Sequence, residues 1–338
     1  MNIVWLGVLG AAVVMLIAAK PWLTFVGKKL VGMDLQKGLN HAGLQPQVVT
    51  LSNGLKAHYY ERQSVGQTDE PTLLVLPGAT VNMDFMGARM SHLFSQMPTR
   101  RIIVLELPHH GKNVTADLNF KAIAASTIDM AEYLECFREV MGLDEAFDLI
   151  GYSLGGGIAT EYAVHYPHRL RRLVLLAPYF YELATDAFVE AINSDRLQNI
   201  HGWETVDQMK NFFHNWLGLT PADAPPAFIM RGINALRADN YPSGYWRACL
   251  RSLHQNSSDS HTIMTNRADK LAGVQRPTLV ITASEDAICD PKKLCRLQEA
   301  FGSENCDIKE VLSGHTFGAD GATLFDIASD EMRQFLTV

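Results

Sequence analysis

Charge is scarce in this chain. Of its 338 residues, 19% are Asp, Glu, Lys or Arg, against roughly 25% in an ordinary soluble domain. The 29 basic residues, set against 36 acidic ones for a net charge of −7, form no Lys/Arg-rich stripe. That argues against nucleic acid as a partner. The five cysteines (Cys136, Cys249, Cys289, Cys295 and Cys306) are odd in number, scattered and without a C-x-x-C pair. Such spacing argues against a disulfide framework and a zinc knuckle. Internal repeats and low-complexity stretches are absent as well. What is present is apolar. Hydrophobic residues make up 47% of the chain, enough to bury a large core, which excludes a disordered or collagen-like chain. At about 150 residues per domain the length predicts two domains, although α/β folds run to about 250 residues as one.

Part of the missing charge has a clear location. Met1 to Ala19 carries no charged side chain, and Ile3 to Ala19 is an apolar run of 17 residues ended by Lys20-Pro21. As a helix the run would extend about 26 Å, inside the lower limit for crossing a bilayer. Trp5 and Trp22 stand near its ends, where indole rings favour the membrane interface. A cleaved signal peptide would carry a basic segment before the run and a small-x-small cleavage site. No Lys or Arg precedes this run, and Ile17-Ala18-Ala19 is a poor cleavage site. A core or interfacial helix is the other alternative.

The expectation is therefore a single-pass transmembrane anchor over residues 1–20. Lys20, Lys28, Lys29 and Lys37 all follow the run, which places the C-terminal body on the cytoplasmic side of the membrane. Unpaired cysteines agree with a reducing compartment. The triplets Asn113-Val114-Thr115 and Asn256-Ser257-Ser258 match the glycosylation acceptor pattern only at chance frequency. Residues 21–45 read as a juxtamembrane connector, with Trp22, Leu23, Phe25 and Val26 at the bilayer surface.

From residue 46 the pattern alternates between short apolar strands and helical stretches. Val48 to Leu51 and Leu55 to Tyr60 flank Asn53-Gly54, a strong hairpin signal. Thr72 to Leu76, Arg101 to Leu107, Phe147 to Ile150, Leu173 to Leu176, Thr278 to Thr282 and Cys306 to Leu312 read as further strands. Ser126 to Met141 repeats apolar residues at helical spacing, with Ser126 as N-cap. Strands without alternation, separated by helices, predict a mostly parallel sheet covered on both faces. Between Pro178 and about Arg276 the rhythm fails. This insert is proline-punctuated and rich in aromatics, among them Tyr179, Phe188, Trp203, Phe212, Phe213, Trp216, Tyr245 and Trp246. It predicts a helical cap over the C-terminal edge of the sheet, where open α/β sheets bind ligands.

The chemistry is carried by Gly151-Tyr152-Ser153-Leu154-Gly155. Strand, G-x-S-x-G and helix in succession describe a sharp turn that lifts a serine hydroxyl clear of the backbone. Glycine at Gly151 and Gly155 lets that turn close. A serine nucleophile needs a base, and the base needs an orienting acid. In this topology they follow in the order Ser, Asp, His. Asp286, after the strand Thr278 to Thr282, is the expected acid, with Glu285 and Asp290 as rivals. His315, in Ser313-Gly314-His315-Thr316 after the last strand, is the expected base. The oxyanion needs preorganised N–H donors. Leu154 is one, and Ala79, in Pro77-Gly78-Ala79-Thr80, is the other. His109-His110-Gly111 lacks a third ligand at useful spacing and reads as a structural loop rather than a metal site.

Together these residues resemble the α/β-hydrolase superfamily over most of residues 46–338. Within it, the N-terminal anchor, Gly-x-Ser-x-Gly-Gly, the long helical cap and Ser-Gly-His near the end look like the membrane-anchored monoacylglycerol lipases of the alpha/beta-hydrolase-domain group, and like related bacterial lipases and esterases. The resemblance implies an α/β-hydrolase core (46–178 and 277–338) with an inserted cap (179–276). It also implies a triad of Ser153, Asp286 and His315, no metal or organic cofactor, and hydrolysis of lipophilic esters through an acyl-enzyme. Asp-x-hydrophobic-x-Asp at Asp286 to Asp290 supports Asp286 over its neighbours.

Two departures stand out. Pro77-Gly78 replaces the usual His-Gly before the oxyanion loop, and Glu106-Leu107-Pro108-His109-His110-Gly111 replaces Asp-x-Pro-Gly-His-Gly. The alternatives are a carboxylesterase, C–C bond hydrolase or acyltransferase acting on a non-lipid substrate, and a non-catalytic ligand receptor. Expected partners are a lipophilic small-molecule ester and the membrane, through residues 1–20. No protein partner is readable.

Overall fold

The computed structural model describes residues 3–66, 69–79, 81–108, 110–113, 127–194, 205–240 and 268–337. Eight strands form one sheet: β1 (Gln45–Thr50), β2 (Lys56–Arg62), β3 (Leu73–Leu76), β4 (Ile102–Leu105), β5 (Phe147–Tyr152), β6 (Leu170–Leu176), β7 (Thr278–Ala283) and β8 (Cys306–Val311). Their order is β1-β2-β4-β3-β5-β6-β7-β8. β1 and β2 form the expected hairpin, pairing Gln45 with Glu61 through Thr50 with Lys56. Its turn is made by Gly54 at φ +82° and by the Asn53 side chain, which accepts the Leu55 N–H at 3.1 Å. β2 also runs antiparallel to β4, and every other pairing is parallel.

The inner parallel strands are largely apolar without alternation because both of their faces are covered, whereas the edge strand β8 carries Asp307, Lys309 and Glu310 and is buried only at Cys306. β3, β4, β5 and β7 are buried at every position. Along β3, Leu74 and Leu76 enter one core with α4 (Thr127–Val140) and α5 (Leu154–His165), through Leu134, Phe137, Ile158 and Tyr162. Leu73 and Val75 enter the opposite core with α2 (Met83–Arg89) and α3 (Ser91–Ser95), through Met83, Met86 and Phe94. α2 was not evident from periodicity. It is capped by Asn82, whose side chain accepts the Phe85 N–H at 3.0 Å. Ser126, the expected cap of α4, lies outside the described residues, as do Trp203, Tyr245, Trp246, Cys249 and the triplet at 256–258.

The N-terminal segment departs from the expected division into anchor and connector. α1 (Ile3–Ala42) is one helix that continues through Pro21. Its second half has an inward face at helical spacing. Gly27, Leu39 and Ala42 are buried, and Val31 and Leu35 are half-buried. Leu39 and Ala42 join the core beneath α2. The opposite face leaves Trp22, Phe25, Leu30 and Met33 exposed. Among the described residues no helix is long and apolar enough to cross a membrane. The side chains of residues 3–19, on which the anchor expectation rests, lie outside that set.

The described parts of the insert are helical: α6 (Asp186–Asn193), α7 (Val206–Leu217) and α8 (Ala227–Asn240). α7 begins with a capping box between Thr205 and Gln208 and ends at Gly218 in the left-handed conformation, the expected start and stop of an isolated helix. α8 lies against α1. A Cβ on Gly27 would collide with the Phe228 carbonyl, a Cβ on Gly232 would collide with Lys28 N, and Lys28 pairs with Asp239.

Candidate active site

Ser153 ends β5 and begins α5 in a strained conformation, φ 50° and ψ −117°. The serine is held there by backbone bonds on both sides. Its N–H donates to Leu176 O at 2.9 Å, while its carbonyl accepts from Gly156 N at 2.9 Å and Tyr179 N at 2.8 Å. Glycine flanks the turn for steric reasons. A Cβ on Gly151 would overlap the Gly155 carbonyl, and a Cβ on Gly155 would lie 2.5 Å from Leu76 O and Pro77 O. The geometry leaves the hydroxyl at the sheet's C-terminal edge, at the mouth of α5.

His315 Nε2 lies 2.9 Å from Ser153 Oγ, and His315 Nδ1 lies 2.7 Å from Asp286 Oδ2. A carboxylate only accepts, so Nδ1 carries the proton and Nε2 is left to accept from the serine hydroxyl. The other Asp286 oxygen accepts the N–H groups of Ile288 and Cys289, both at 2.8 Å. All three side chains are buried. The rivals of Asp286 are placed elsewhere. Glu285 is exposed, and Asp290 caps a short helix by accepting the Lys292 N–H at 3.0 Å.

The loop after β3 touches the serine. A Cβ on Gly78 would lie 2.9 Å from Ser153 Cβ, so only glycine admits this approach. Ala79 and Leu154 both line a cavity of about 420 Å³ together with Ser153 and His315. Thr80 lies outside the described residues. The cavity is apolar over most of its wall. The cap contributes Phe212, Phe213, Leu217 and Ile233, and α1 contributes Val31 and Leu35. The insert's aromatics therefore divide. Phe188, Phe212 and Phe213 reach the cavity, while Trp216 packs edge-on against Phe188 at 5.2 Å.

Cys289 Sγ lies with an Asp286 oxygen and a His315 nitrogen within 4.8 Å, a spacing three metal ligands could share. These groups are already engaged with one another or with the backbone: Cys289 donates to Ala177 O at 3.4 Å. Burial holds its thiol well above the ordinary value, so it is a neutral packing group. His110 is buried in its loop, with Nδ1 donating to Pro108 O at 2.8 Å. His109 lies outside the described residues.

Two residues play parts that the motifs containing them did not announce. Tyr152, the variable residue of G-x-S-x-G, sends its hydroxyl to His315 O at 3.1 Å and to Thr316 Oγ1 at 2.7 Å. Glu106, at the end of β4, is fully buried and accepts the Met83 N–H at 3.3 Å. Burial raises its carboxyl to about 8. It therefore anchors the start of α2, directly after the loop that carries Ala79.

The comparisons agree with this architecture. The family described as alpha/beta hydrolase fold matches residues 71–321. An abhydrolase domain-containing protein, abhd-5.2, of Caenorhabditis elegans is 33% identical over 38% of this chain and 28% of its own length. Human monoacylglycerol lipase ABHD6 is 24% identical over 41% of this chain and 39% of its own. The chain thus spans a minor part of these two curated relatives. Among solved structures, a membrane phospholipase A described as a bacterial virulence factor superposes with a TM-score of 0.72 at 19% identity, covering 97% of each chain. At that identity the likeness speaks for the fold alone.

Proposed function

Because the chain belongs to the alpha/beta hydrolase fold family, we propose that it is a serine hydrolase of lipophilic carboxylic esters, with monoacylglycerols or similar single-chain lipids as substrates. One observation carries this reading: the hydrogen-bonded series Ser153–His315–Asp286 opens into an apolar cavity of about 420 Å³. That volume suits one extended chain or a drug-sized molecule. The name of the relative ABHD6 supports the same substrate class.

His315 Nε2 takes the Ser153 proton as Oγ attacks the ester carbonyl, and Asp286 stabilises the imidazolium that forms. The N–H groups of Ala79 and Leu154 hold the oxyanion. His315 then returns the proton to the departing alcohol. Water, deprotonated by the same nitrogen, releases the acid from the acyl-enzyme. The membrane anchor belongs to this reading. The uncharged run Ile3 to Ala19 opens the same helix that walls the cavity, which would hold the site next to lipid, with the body on the cytoplasmic side.

Ser153→Ala tests the chemistry. We expect loss of labelling by a fluorophosphonate probe and a fall in kcat of roughly 1,000-fold or more. Unchanged labelling and turnover would remove the reading. An acyl-chain series tests the substrate class, because preference for acetyl to butyryl esters would favour a carboxylesterase over a lipase.

A further inference from the structure

The loop that carries His315 is held by the cap, and we propose that Leu217 and Gly218 are positioning residues for this histidine. The inference rests on the triad reading above. Thr316 N–H and Phe317 N–H both donate to the Leu217 carbonyl, at 3.1 and 2.9 Å. This carbonyl belongs to the last turn of α7, where helix carbonyls lack partners within the helix. The next residue, Gly218, turns left-handed at φ +86°. That turn lays its backbone on Gly314. A Cβ on Gly218 would sit 2.7 Å from Gly314 Cα, and a Cβ on Gly314 would sit 2.5 Å from Gly218 Cα.

Neither glycine can be replaced without separating the two backbones, so the contact specifies the residue type on both sides. One ring contact continues the junction, Phe213 to Phe317 at 6.0 Å. From beneath, the Tyr152 hydroxyl fixes the carbonyl of His315 and the hydroxyl of Thr316. His315 is thereby gripped between the sheet and the cap. The sheet side is rigid, being buried strand. The cap side is a helix end whose α7 residues Phe212, Phe213 and Leu217 also line the cavity. Displacing α7 would break both bonds to the Leu217 carbonyl and leave the loop held from the core side, by Tyr152, by the Leu324 N–H on Thr316 O at 2.8 Å and by Asp286 on the imidazole.

Gly218→Ala tests this in the full chain, and Gly218→Asn is its partner variant. Asn enters the left-handed region more readily than Ala, so it retains the turn while its Cβ still meets Gly314. Both are measured on a short-chain ester that does not reach α7. We expect kcat to fall roughly 10- to 100-fold, the cost of a misplacement near 1 Å, with KM unchanged. The low-field proton resonance of His315 Nδ1–H should broaden or shift, and the pH at which kcat/KM is half-maximal should move. Unchanged kcat, resonance and pH profile in either folded variant overturns the proposal. A rise in KM at constant kcat overturns it too, because that marks a binding role. If the unaltered chain turns over no ester, the hydrolase reading fails instead, and the resonance alone then decides the positioning.

Discussion

A buried acid and a buried ion pair show how single residues govern this fold. Glu106 accepts a backbone N–H at the start of α2 and is packed against Gly111, where a Cβ would overlap its carboxylate. Burial is the largest cause of its rise to about 8, with nearby Asp84 adding to it and the Met83 N–H opposing it. The folded chain then keeps a proton that the unfolded chain has already released. Between the ordinary carboxylate range and pH 8 the unfolded state binds fewer protons, so stability falls as pH rises. The slope reaches up to about 1.4 kcal/mol per pH unit. Glu106→Gln preserves the acceptor and removes the titration. Urea unfolding at several pH values between 5 and 8 should show a flatter decline for this variant than for the unaltered chain. An identical decline would mean that Glu106 is ionised in the fold. Asp148 is the contrasting case. It is a buried carboxylate matched by Arg100 and by Arg171, the latter through Nε at 2.8 Å and Nη2 at 2.5 Å.

Among the elements, α1 and α8 carry the least expected contact. Their backbones approach at Gly27 and Gly232 so closely that either Cβ would overlap the partner helix. Lys28 and Asp239 close the crossing at the surface. Exposed pairs of this kind contribute little, so backbone packing sets the geometry. Gly232→Val forces the helices apart. It should cost about 1–3 kcal/mol, the usual penalty of overpacking, read as a lowered urea midpoint. Because Val31 and Leu35 of α1 and Ile233 of α8 all line the cavity, the same variant should also raise KM for long-chain esters more than for short ones.

This crossing explains what could and could not be read from sequence. The inner strands were legible because each carries an apolar run between turn residues, the β1–β2 hairpin because of Asn53-Gly54, and the turn at Ser153 because glycine is needed on both of its sides. His315 and Asp286 followed from their places after β8 and β7. α1 beyond Lys20 was not legible. Pro21 and four lysines suggest an interruption, whereas Gly27, Val31, Leu35, Leu39 and Ala42 form a face only in the presence of α2 and α8, the latter about 200 residues away in sequence. Tyr152 and Leu217 were hidden for a related reason. One acts through a hydroxyl and the other through a carbonyl, on a loop that the sequence places far from both.

For the whole molecule, a pair of truncations separates the two parts of α1. Its first part is the uncharged run to Ala19, and its second part is structural. Leu39 and Ala42 are core residues at 2% and 1% exposure, and Val31 and Leu35 close the cavity. Burying aliphatic side chains of this kind is worth roughly 1.5–3 kcal/mol each. Loss of this half therefore removes on the order of 5 kcal/mol from a total stability of about 5–15 kcal/mol. A chain lacking residues 1–42 should accordingly fold poorly and hydrolyse no ester, whatever its solubility. A chain lacking only residues 1–19 keeps every described core contact. It should unfold at the same urea midpoint and hydrolyse a dispersed short-chain ester at the rate of the full chain, while losing activity on monoacylglycerol embedded in vesicles. Equal activity of the shorter truncation on vesicles would detach the apolar run from substrate access, leaving α1 as a wall of the cavity and nothing more.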